Sequence, residues 1–260
     1  MKFQDLDAKG RSDLFEYLLR LGDDRLVLGH RLSEWCGHAP ILEEDIALAN
    51  IALDCVGQAS AWLALAGQVE GAGRSEDDLA YQREATDFRN VLLVEQPNGD
   101  FGYTIARQFL FDCYVFELYT AIGDSTVEEV AALAAKGLKE VRYHLRHSGE
   151  WVVRLGDGTA ESRRRVAAGF EDLWRFTGEL FESDQLEERL ASKGIAPLSR
   201  ELKVSWESRV KEVLKEATLQ DLKLEPHMIP GSRQGRHSEH LGHLLSEMQI
   251  LQRSFPGAKW

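Results

Sequence analysis

The chain has 260 residues, of which 43% are hydrophobic and 28% are charged, and these proportions are ordinary for a soluble globular protein. Its formal net charge of −12 argues against nucleic acid, or an anionic membrane surface, as the main partner. Residues 1–10 contain no apolar signal core, and the most apolar run, 59–67, is too short to span a bilayer. We therefore expect a cytoplasmic protein.

Apolar residues recur at helical spacing along most of the chain, whereas the alternation typical of β-strands is almost absent. Turn residues such as Gly, Pro, Asn and Asp divide this pattern into segments. The predicted helices, in chain order, cover about 12–35, 43–69, 74–94, 101–122, 127–147, 159–181, 197–220 and 237–253. The sequence therefore predicts an all-α protein.

Residue types near the segment ends predict further details of several helices. Ser12 or Asp13 is the expected N-cap of the first helix. The third helix, 74–94, is more polar than its neighbours, so we expect it to pack on the outside. Beyond the fifth helix we expect a separate short helix over 151–155, and later a looser acidic segment over 182–188.

The three cysteines, Cys36, Cys55 and Cys113, have no C-x-x-C spacing and lie within apolar helical patterns. Disulfide and zinc frameworks use paired or closely spaced cysteines. We expect buried, reduced thiols.

The helix over 101–122 is the one around which the others are expected to be arranged. From Phe109 to Tyr119 it is apolar on every side, with only Asp112 and Glu117 interrupting. A helix that is hydrophobic all round must be enclosed by other helices. Its two carboxylates then need partners, because burying an unpaired charge is costly. In all-helical proteins one solution is a carboxylate-bridged metal pair inside a four-helix bundle.

A di-iron bundle takes a Glu from each of two helices and a Glu-x-x-His from each of the other two. None of the eight histidines here has Asp or Glu three residues before it. Asp24 and Asp54 nevertheless fall on the first predicted helix pair, and Asp112 and His144 fall on the second. We interpret these positions as remnants of a degenerate di-iron site in which salt bridges and hydrogen bonds replace the metal. We predict no metal, catalytic or cofactor-binding residue in this chain.

Five segments are specific enough to suggest relatives. They are LVLGHRLSEWCGHAP, EEDIALANIALDCVGQA, DFRNVLLVEQPNGDFGYTIARQFLFDCY, KEVRYHLRHSGEWVVRLGDGTAES and GSRQGRHSEHLGHLLSEMQILQRSFPGAKW. They closely resemble the structural C subunit family of bacterial phenylacetyl-CoA 1,2-epoxidase. The resemblance implies a ferritin-like four-helix bundle with additional C-terminal helices. We expect a single domain over 1–260, with a core bundle over about 11–182 and an extension over about 183–260.

The resemblance also implies a multicomponent oxygenase. In that family an A-type paralogue carries the di-iron centre and binds the acyl-CoA thioester, and a reductase with FAD and an iron–sulfur cluster supplies electrons from NADPH. The complex inserts one oxygen atom of O2 into the aromatic ring of phenylacetyl-CoA. The C-type chain has no activity alone, pairs with the A-type paralogue in a hetero-oligomer and is needed for its activity. Self-association of the chain is the other assembly considered.

An alternative from another functional class is an independent di-iron or dimanganese oxidase with unusual ligands. Its ligands would be drawn from Asp24, Asp54, Asp112, Glu117, Glu140 and His144. This hypothesis needs a site with a single histidine and no Glu-x-x-His motif, so the sequence favours the structural subunit. A metal-free small-molecule-binding protein is a third hypothesis, which requires a closed apolar pocket.

The start of the last predicted helix combines histidines with basic residues. They are Arg233, Arg236, His237, His240, His243 and Glu247. We weigh a metal site, an anion site at a helix N-terminus and a solvated basic helix end, and we adopt the last interpretation.

Two further groups are candidates for contact with a partner. Residues 163–165, three arginines, are expected to form a solvated helix face, the alternative being contact with an acidic partner or with CoA phosphates. Phe176, Phe181 and Trp206 are candidates for a partner surface, because aromatic residues are enriched at interface hot spots.

Overall fold

The computed structural model describes residues 1–258, and within this range it contains helices and no β-strand. The α-helices, numbered in chain order, are α1 (Ala8–Ser33), α2 (Leu42–Glu70), α3 (Glu76–Tyr81), α4 (Leu92–Glu95), α5 (Phe101–Ile122), α6 (Glu128–Gly156), α7 (Ala160–Leu173), α8 (Gln185–Ser192), α9 (Ser199–Glu216) and α10 (Glu239–Ser254). Short 3₁₀ turns lie at Phe3–Asp5, Ala85–Asp87, Trp174–Phe176, Gly178–Phe181 and Ser232–Gln234. The predicted all-α class is confirmed. The longest helices, α1, α2, α5 and α6, are those expected of a ferritin-like fold with additional C-terminal helices.

Two compact units make up the chain, and each is described by itself. The first, here called the α1–α2 unit, contains Lys2–Pro97 and the segment from Gly231 onward, and therefore α1 to α4 and α10. The second, the α5–α6 unit, contains Met1 and Asn98–Pro230, and therefore α5 to α9. A single domain over 1–260 stays a prediction.

Close packing of α1 on α2 organises the first unit. A Cβ atom added at Gly22 would lie 2.7 Å from the Leu63 side chain, and one added at Gly29 would lie 3.0 Å from Val56. The two glycines therefore let the helices approach more closely than any other residue would. Among the described helices, α2 is also the one long and apolar enough to cross a membrane, which is weak evidence because core helices meet the same criterion.

The helix α1 begins earlier than the sequence predicts. Asp7 is its N-cap, and the Asp7 side chain accepts a hydrogen bond from the Gly10 amide at 2.8 Å. The prediction of Ser12 or Asp13 as the cap is wrong, because Asp7 already satisfies a free amide of the first turn and the helix continues through both residues.

The segment after α2 is not the outer helix predicted over 74–94. It forms only α3, a 3₁₀ turn and α4, and its apolar side chains, Phe88 and Val91 among them, are fully buried. The reason lies in the backbone: the amides of Arg89 and Val91 donate to the carboxylates of α1, not to helical carbonyls. Because these amides already have hydrogen-bond acceptors in the extended segment, a helix here would add no hydrogen bond for them.

In the α5–α6 unit, α5 has the predicted boundaries and is buried on nearly all sides. The predicted break after 147 and the separate helix over 151–155 are wrong, because α6 is continuous. Ser148 and Gly149 lie within it, and both are buried. A Cβ atom at Gly149 would make an ordinary van der Waals contact with the Phe109 ring at 3.7 Å, and the Ser148 hydroxyl donates to Asp112, so both residues face α5 and the helix continues through them.

The aromatic partner surface is a wrong prediction for Trp206 and Phe181 and stays a prediction for Phe176. Trp206 is 1% exposed and its Nε1 donates to the Leu110 carbonyl of α5 at 2.9 Å. Phe181 is buried with its ring centroid 5.1 Å from that of Trp206, and Phe176 is half-buried. These rings attach α9 to α5 because a buried indole N–H needs an acceptor and the rings bury apolar area.

Smaller differences concern other segments. The helix predicted over 159–181 ends at Leu173 and gives way to 3₁₀ turns, and the segment expected to be looser over 182–188 contains the start of α8. Cys36 is exposed in the turn after α1, so the expectation of a buried thiol is wrong for Cys36 and confirmed for Cys55 and Cys113.

Replacement of Gly67 by Ala should destabilise the protein, because a Cβ atom at this position would overlap the carbonyl oxygen of Arg74. We expect the free energy of unfolding in urea to fall by about 1–3 kcal/mol. Gly57→Ala on the same helix is the control: no atom lies within 4 Å of the added Cβ, so it should raise stability by up to about 1 kcal/mol. Equal stability of the two variants would contradict the packing described.

Candidate functional site

The four predicted remnant positions lie on the four longest helices. Asp24 is on α1 and Asp54 on α2, in one unit, whereas Asp112 is on α5 and His144 on α6, in the other. Asp24, Asp112 and His144 are buried, and Asp54 is half-buried. A buried ionisable side chain requires a hydrogen-bond or ion-pair partner, so the partners of these side chains indicate whether they serve structure or could bind a metal.

The carboxylate of Asp24 is held by a guanidinium group. Arg233 Nη2 lies 2.9 Å from Asp24 Oδ2 and Arg233 Nη1 lies 3.2 Å from Oδ1, while the Val91 amide donates to Oδ1 at 2.7 Å. Burial raises the pKa of Asp24 above the usual aspartate value, although Arg233 and the Val91 amide both act to lower it. The two-pronged geometry is the strongest form of carboxylate recognition that a side chain offers.

The neighbouring carboxylate, Asp23, is fully buried and has the same kind of partner. Arg83 forms a salt bridge with it, with Nη1 2.9 Å from Oδ2, and the Arg89 amide donates to Oδ2 at 2.8 Å. The Arg83 guanidinium also lies 4.3 Å from the centre of the Phe88 ring. Sequence reasoning missed Asp23, and the acidic pair of Asp23 and Asp24 between Leu21 and Leu26 was the available signal.

The basic segment before α10 is structural at Arg233 and His237, so the predicted solvated helix end is wrong for these two residues, whereas Arg236 and His243 are exposed as predicted. Arg233 pairs with Asp24, and His237 lies with Nδ1 3.3 Å from Oε2 of Glu95, a fully buried carboxylate. The other oxygen of Glu95 accepts the Ser238 amide at 3.0 Å. These contacts, far apart in sequence, attach α10 to α1 and α4.

In the α5–α6 unit, Asp112 is bound by neutral donors. Gln108 Nε2 donates to Oδ1 at 2.7 Å, and the Ser148 hydroxyl of α6 donates to Oδ2 at 2.9 Å. Glu117, the second carboxylate of α5, is paired with Arg209 of α9 at 2.8 Å. Both carboxylates therefore have the partners that the sequence required of them.

These donors differ from those of a carboxylate-bridged metal pair. Within residues 1–258 no group of three or more His, Cys, Asp or Glu side chains is arranged to hold a metal ion. Asp24 faces a guanidinium cation, and Asp112 accepts from an amide and a hydroxyl. A di-iron site needs several anionic ligands and imidazoles converging on two cations, so these residues do not fit one.

Replacing Asp24 by Asn should destabilise the fold, because it leaves the half-buried Arg233 charge without its anionic partner. We expect a loss of about 3–5 kcal/mol in the free energy of unfolding, measured with urea. Asp124→Asn, in an exposed turn, is the control and should change stability by less than about 0.5 kcal/mol.

The double variant D24L/R233M tests directly whether Asp24 and Arg233 stabilise the fold as an ion pair. If the pair is structural, the double variant should be less destabilised than either D24L or R233M alone, because no buried charge is left uncompensated. Additive losses in the double variant would contradict an ion pair between the two residues.

Comparisons with known proteins show the family of this chain. The sequence profile of the family described as phenylacetic acid catabolic protein matches residues 2–260. The C subunit of 1,2-phenylacetyl-CoA epoxidase from Escherichia coli (strain K12) is 48% identical over 249 residues, which cover 96% of this chain and 100% of the relative. This chain, all-helical and with its buried carboxylates held in ion pairs and hydrogen bonds, belongs to the phenylacetic acid catabolic protein family.

Proposed function

We propose that this chain is the non-catalytic, structural subunit of a cytoplasmic phenylacetyl-CoA 1,2-epoxidase and pairs with a di-iron catalytic paralogue. The relative at 48% identity is named as the C subunit of that epoxidase, so other subunits belong to the assembly. In this proposal the paralogue holds the iron and the acyl-CoA, and a separate reductase with FAD and an iron–sulfur cluster delivers electrons from NADPH. The present chain contributes no cofactor ligand.

The main support for the proposal is that the Arg233 guanidinium lies beside Asp24, where a metal site would have a metal ion. A metal ligand must offer lone pairs to the ion, yet both oxygens of this carboxylate are already bonded by Arg233 and one also by Val91. The positive charge of Arg233 would repel a second cation at the same carboxylate. The same residues weaken the alternative of an independent oxidase, as does the Glu117–Arg209 pair.

An exposed face of α2 supports pairing with another subunit. It forms a strip of about six turns, roughly 33 Å long, whose exposed side chains after Glu43 carry no charge, and the half-buried Asp54 lies at its edge. Its residues, in order, are Leu42, Ile46, Ala49, Asn50, Leu53, Val56, Gly57, Ser60 and Ala64. Leu42 is 72% exposed and Leu53 is 69% exposed. We call this face the α2 strip.

The α2 strip has the character of a permanent subunit interface. Interfaces between permanent partners are more apolar than the rest of the surface, and charged residues are depleted at their centres. Positions 42, 46, 49, 53, 56 and 60 of the strip recur at alternating steps of four and three, the spacing with which one helix packs along another. We therefore assign the strip to an apolar helix of the catalytic paralogue, and binding of a second copy of this chain there would instead indicate self-association.

The first prediction from the proposal concerns catalysis. Asp112→Asn keeps an oxygen acceptor for Gln108 and presents an amide N–H to the Ser148 hydroxyl, which can accept it, but removes the negative charge that a metal site would need. In the reconstituted epoxidase, turnover per iron should stay within about twofold of the wild type, because this carboxylate has no role in the chemistry. Loss of a metal ligand or of a residue that supports one lowers activity by roughly ten- to a hundredfold. A fall of that size, in a variant that folds and pairs normally, would contradict the proposal.

The second prediction concerns pairing. Leu53→Arg should raise the dissociation constant for the catalytic paralogue by at least about tenfold, since it buries a charge in the centre of an apolar contact. The matched control is Val204→Arg on α9, where an equally aliphatic side chain is 77% exposed outside the strip. Analytical ultracentrifugation of the mixed subunits measures both. If L53R binds the catalytic paralogue with unchanged affinity, the α2 strip is not part of the interface.

A further inference from the structure

The exposed face of α6 is strongly basic, in contrast to the acidic balance of the chain, which has 31 basic and 43 acidic residues. Five cations project from neighbouring turns of this one helix. They are Lys136, Lys139, Arg142, Arg146 and Arg154, all exposed. Glu150 is the exposed carboxylate among them, and Glu140 lies half-buried at the edge. We call this face the basic ridge.

Most cations of the basic ridge have no anionic partner within the chain. Across the described range, residues 1–258, the side chains of Lys136, Lys139 and Arg142 make no hydrogen bond or ion pair. Arg146 contacts an aromatic ring and no carboxylate, its guanidinium lying 5.7 Å from the centre of the Tyr143 ring. Only Arg154 faces a carboxylate, Glu150, at 3.6 Å.

Several other basic side chains at the surface of this unit are matched by acids. Arg164 and Arg165 of α7 both contact Glu161, and Lys211 of α9 lies 3.4 Å from Glu207. Like charges on successive turns repel one another and destabilise a helix by a few tenths of a kcal/mol per pair. Repulsion among the unpaired cations of the basic ridge therefore lowers the stability of α6 slightly, and no ion pair within the described residues compensates for it.

We propose that the basic ridge is a reversible docking surface for an acidic face of another protein component of the epoxidase, distinct from the paralogue assigned to the α2 strip. This inference rests on the proposed function. Charge complementarity selects the partner: several unopposed cations on one helix attract an acidic surface and disfavour a basic one. Tyr143, 42% exposed and stacked on His147 at 6.3 Å, offers a rigid aromatic contact in the middle of the ridge.

The composition of the ridge indicates reversible docking. Lysine is depleted from the cores of permanent interfaces, whereas exposed charges act mainly on the rate of encounter. Such steering raises association rates by roughly 10- to 1,000-fold at low salt and is screened as ionic strength rises. A ridge of this kind suits a component that must arrive and leave repeatedly during turnover.

The test uses the triple variant K136E/K139E/R142E and a matched control, K203E/K211E/K215E. The control makes the same change in net charge on α9, where exposed lysines are interspersed with glutamates. Each of the other purified epoxidase components is passed over the immobilised chain, and surface plasmon resonance measures association at about 50 mM and about 300 mM NaCl. We expect one component to bind the wild type and the control in a salt-dependent manner, and to associate with the ridge variant at least about tenfold more slowly at low salt.

Several outcomes would overturn the inference. The first is that no component binds in a salt-dependent way, and the second is that the ridge and control variants behave alike. A third is that the wild type binds coenzyme A and the ridge variant does not, because this would assign the ridge to phosphate recognition.

A parallel measurement separates this inference from the proposed function. The ridge variant should still co-purify with the catalytic paralogue, because the α2 strip is untouched. If the wild type itself fails to pair with the paralogue, the proposed function fails and the inference fails with it. If pairing persists in all variants while only the ridge variant loses salt-dependent binding, both are supported.

Discussion

The structure depends on the compensation of carboxylates buried in the helices. Asp23 and Asp24 follow one another in the middle of α1, and burying both without partners would cost several kcal/mol each. Arg83 and Arg233 supply the opposite charges, while backbone amides supply further donors. This requirement determines the path of the segment after α2, which passes α1 in extended form, and it attaches the segment before α10. In the α5–α6 unit Asp112 imposes the same requirement, which Ser148 and Gln108 meet.

The functional proposal follows from how that requirement is met. A bundle with carboxylates at its helix centres can satisfy them with metal ions or with protein donors, and only the first choice gives oxygen chemistry. Here the donors include arginine, serine, glutamine and backbone amides, which stabilise the helices without a metal ion. In the proposed function the surface is the functional part of the molecule. The α2 strip is uncharged and suited to a permanent partner, whereas the basic ridge of α6 is suited to a transient one.

Helical periodicity predicted most of the helices, because a long run of apolar residues at helical spacing is compatible with few other structures. The boundaries of α5 and the course of α2 followed from such patterns and from turn residues. The path of residues 82–91 did not follow, since its amides bond to carboxylates more than 60 residues away in sequence. The role of Arg233, bonded to a residue 209 positions earlier, was invisible for the same reason.

Two further errors arose from residues whose local preference was overruled by packing. Ser148 and Gly149 suggest a helix end, yet they fit α6 against α5, and the hydroxyl binds Asp112. Trp206 was assigned to a partner surface by its type, whereas its N–H has an acceptor inside the unit. The missing Glu-x-x-His motif was readable from sequence, but the identity of the groups that satisfy the remaining carboxylates required coordinates.

The most direct test of the account is the iron content of the chain, measured by mass spectrometry after expression with iron available, alone and with its catalytic paralogue. The account predicts that the lone chain carries no stoichiometric iron and that the complex contains about two irons for each catalytic paralogue. Stoichiometric iron in the lone chain would contradict it, because the carboxylates described here as held by protein donors would then have to be free to bind metal.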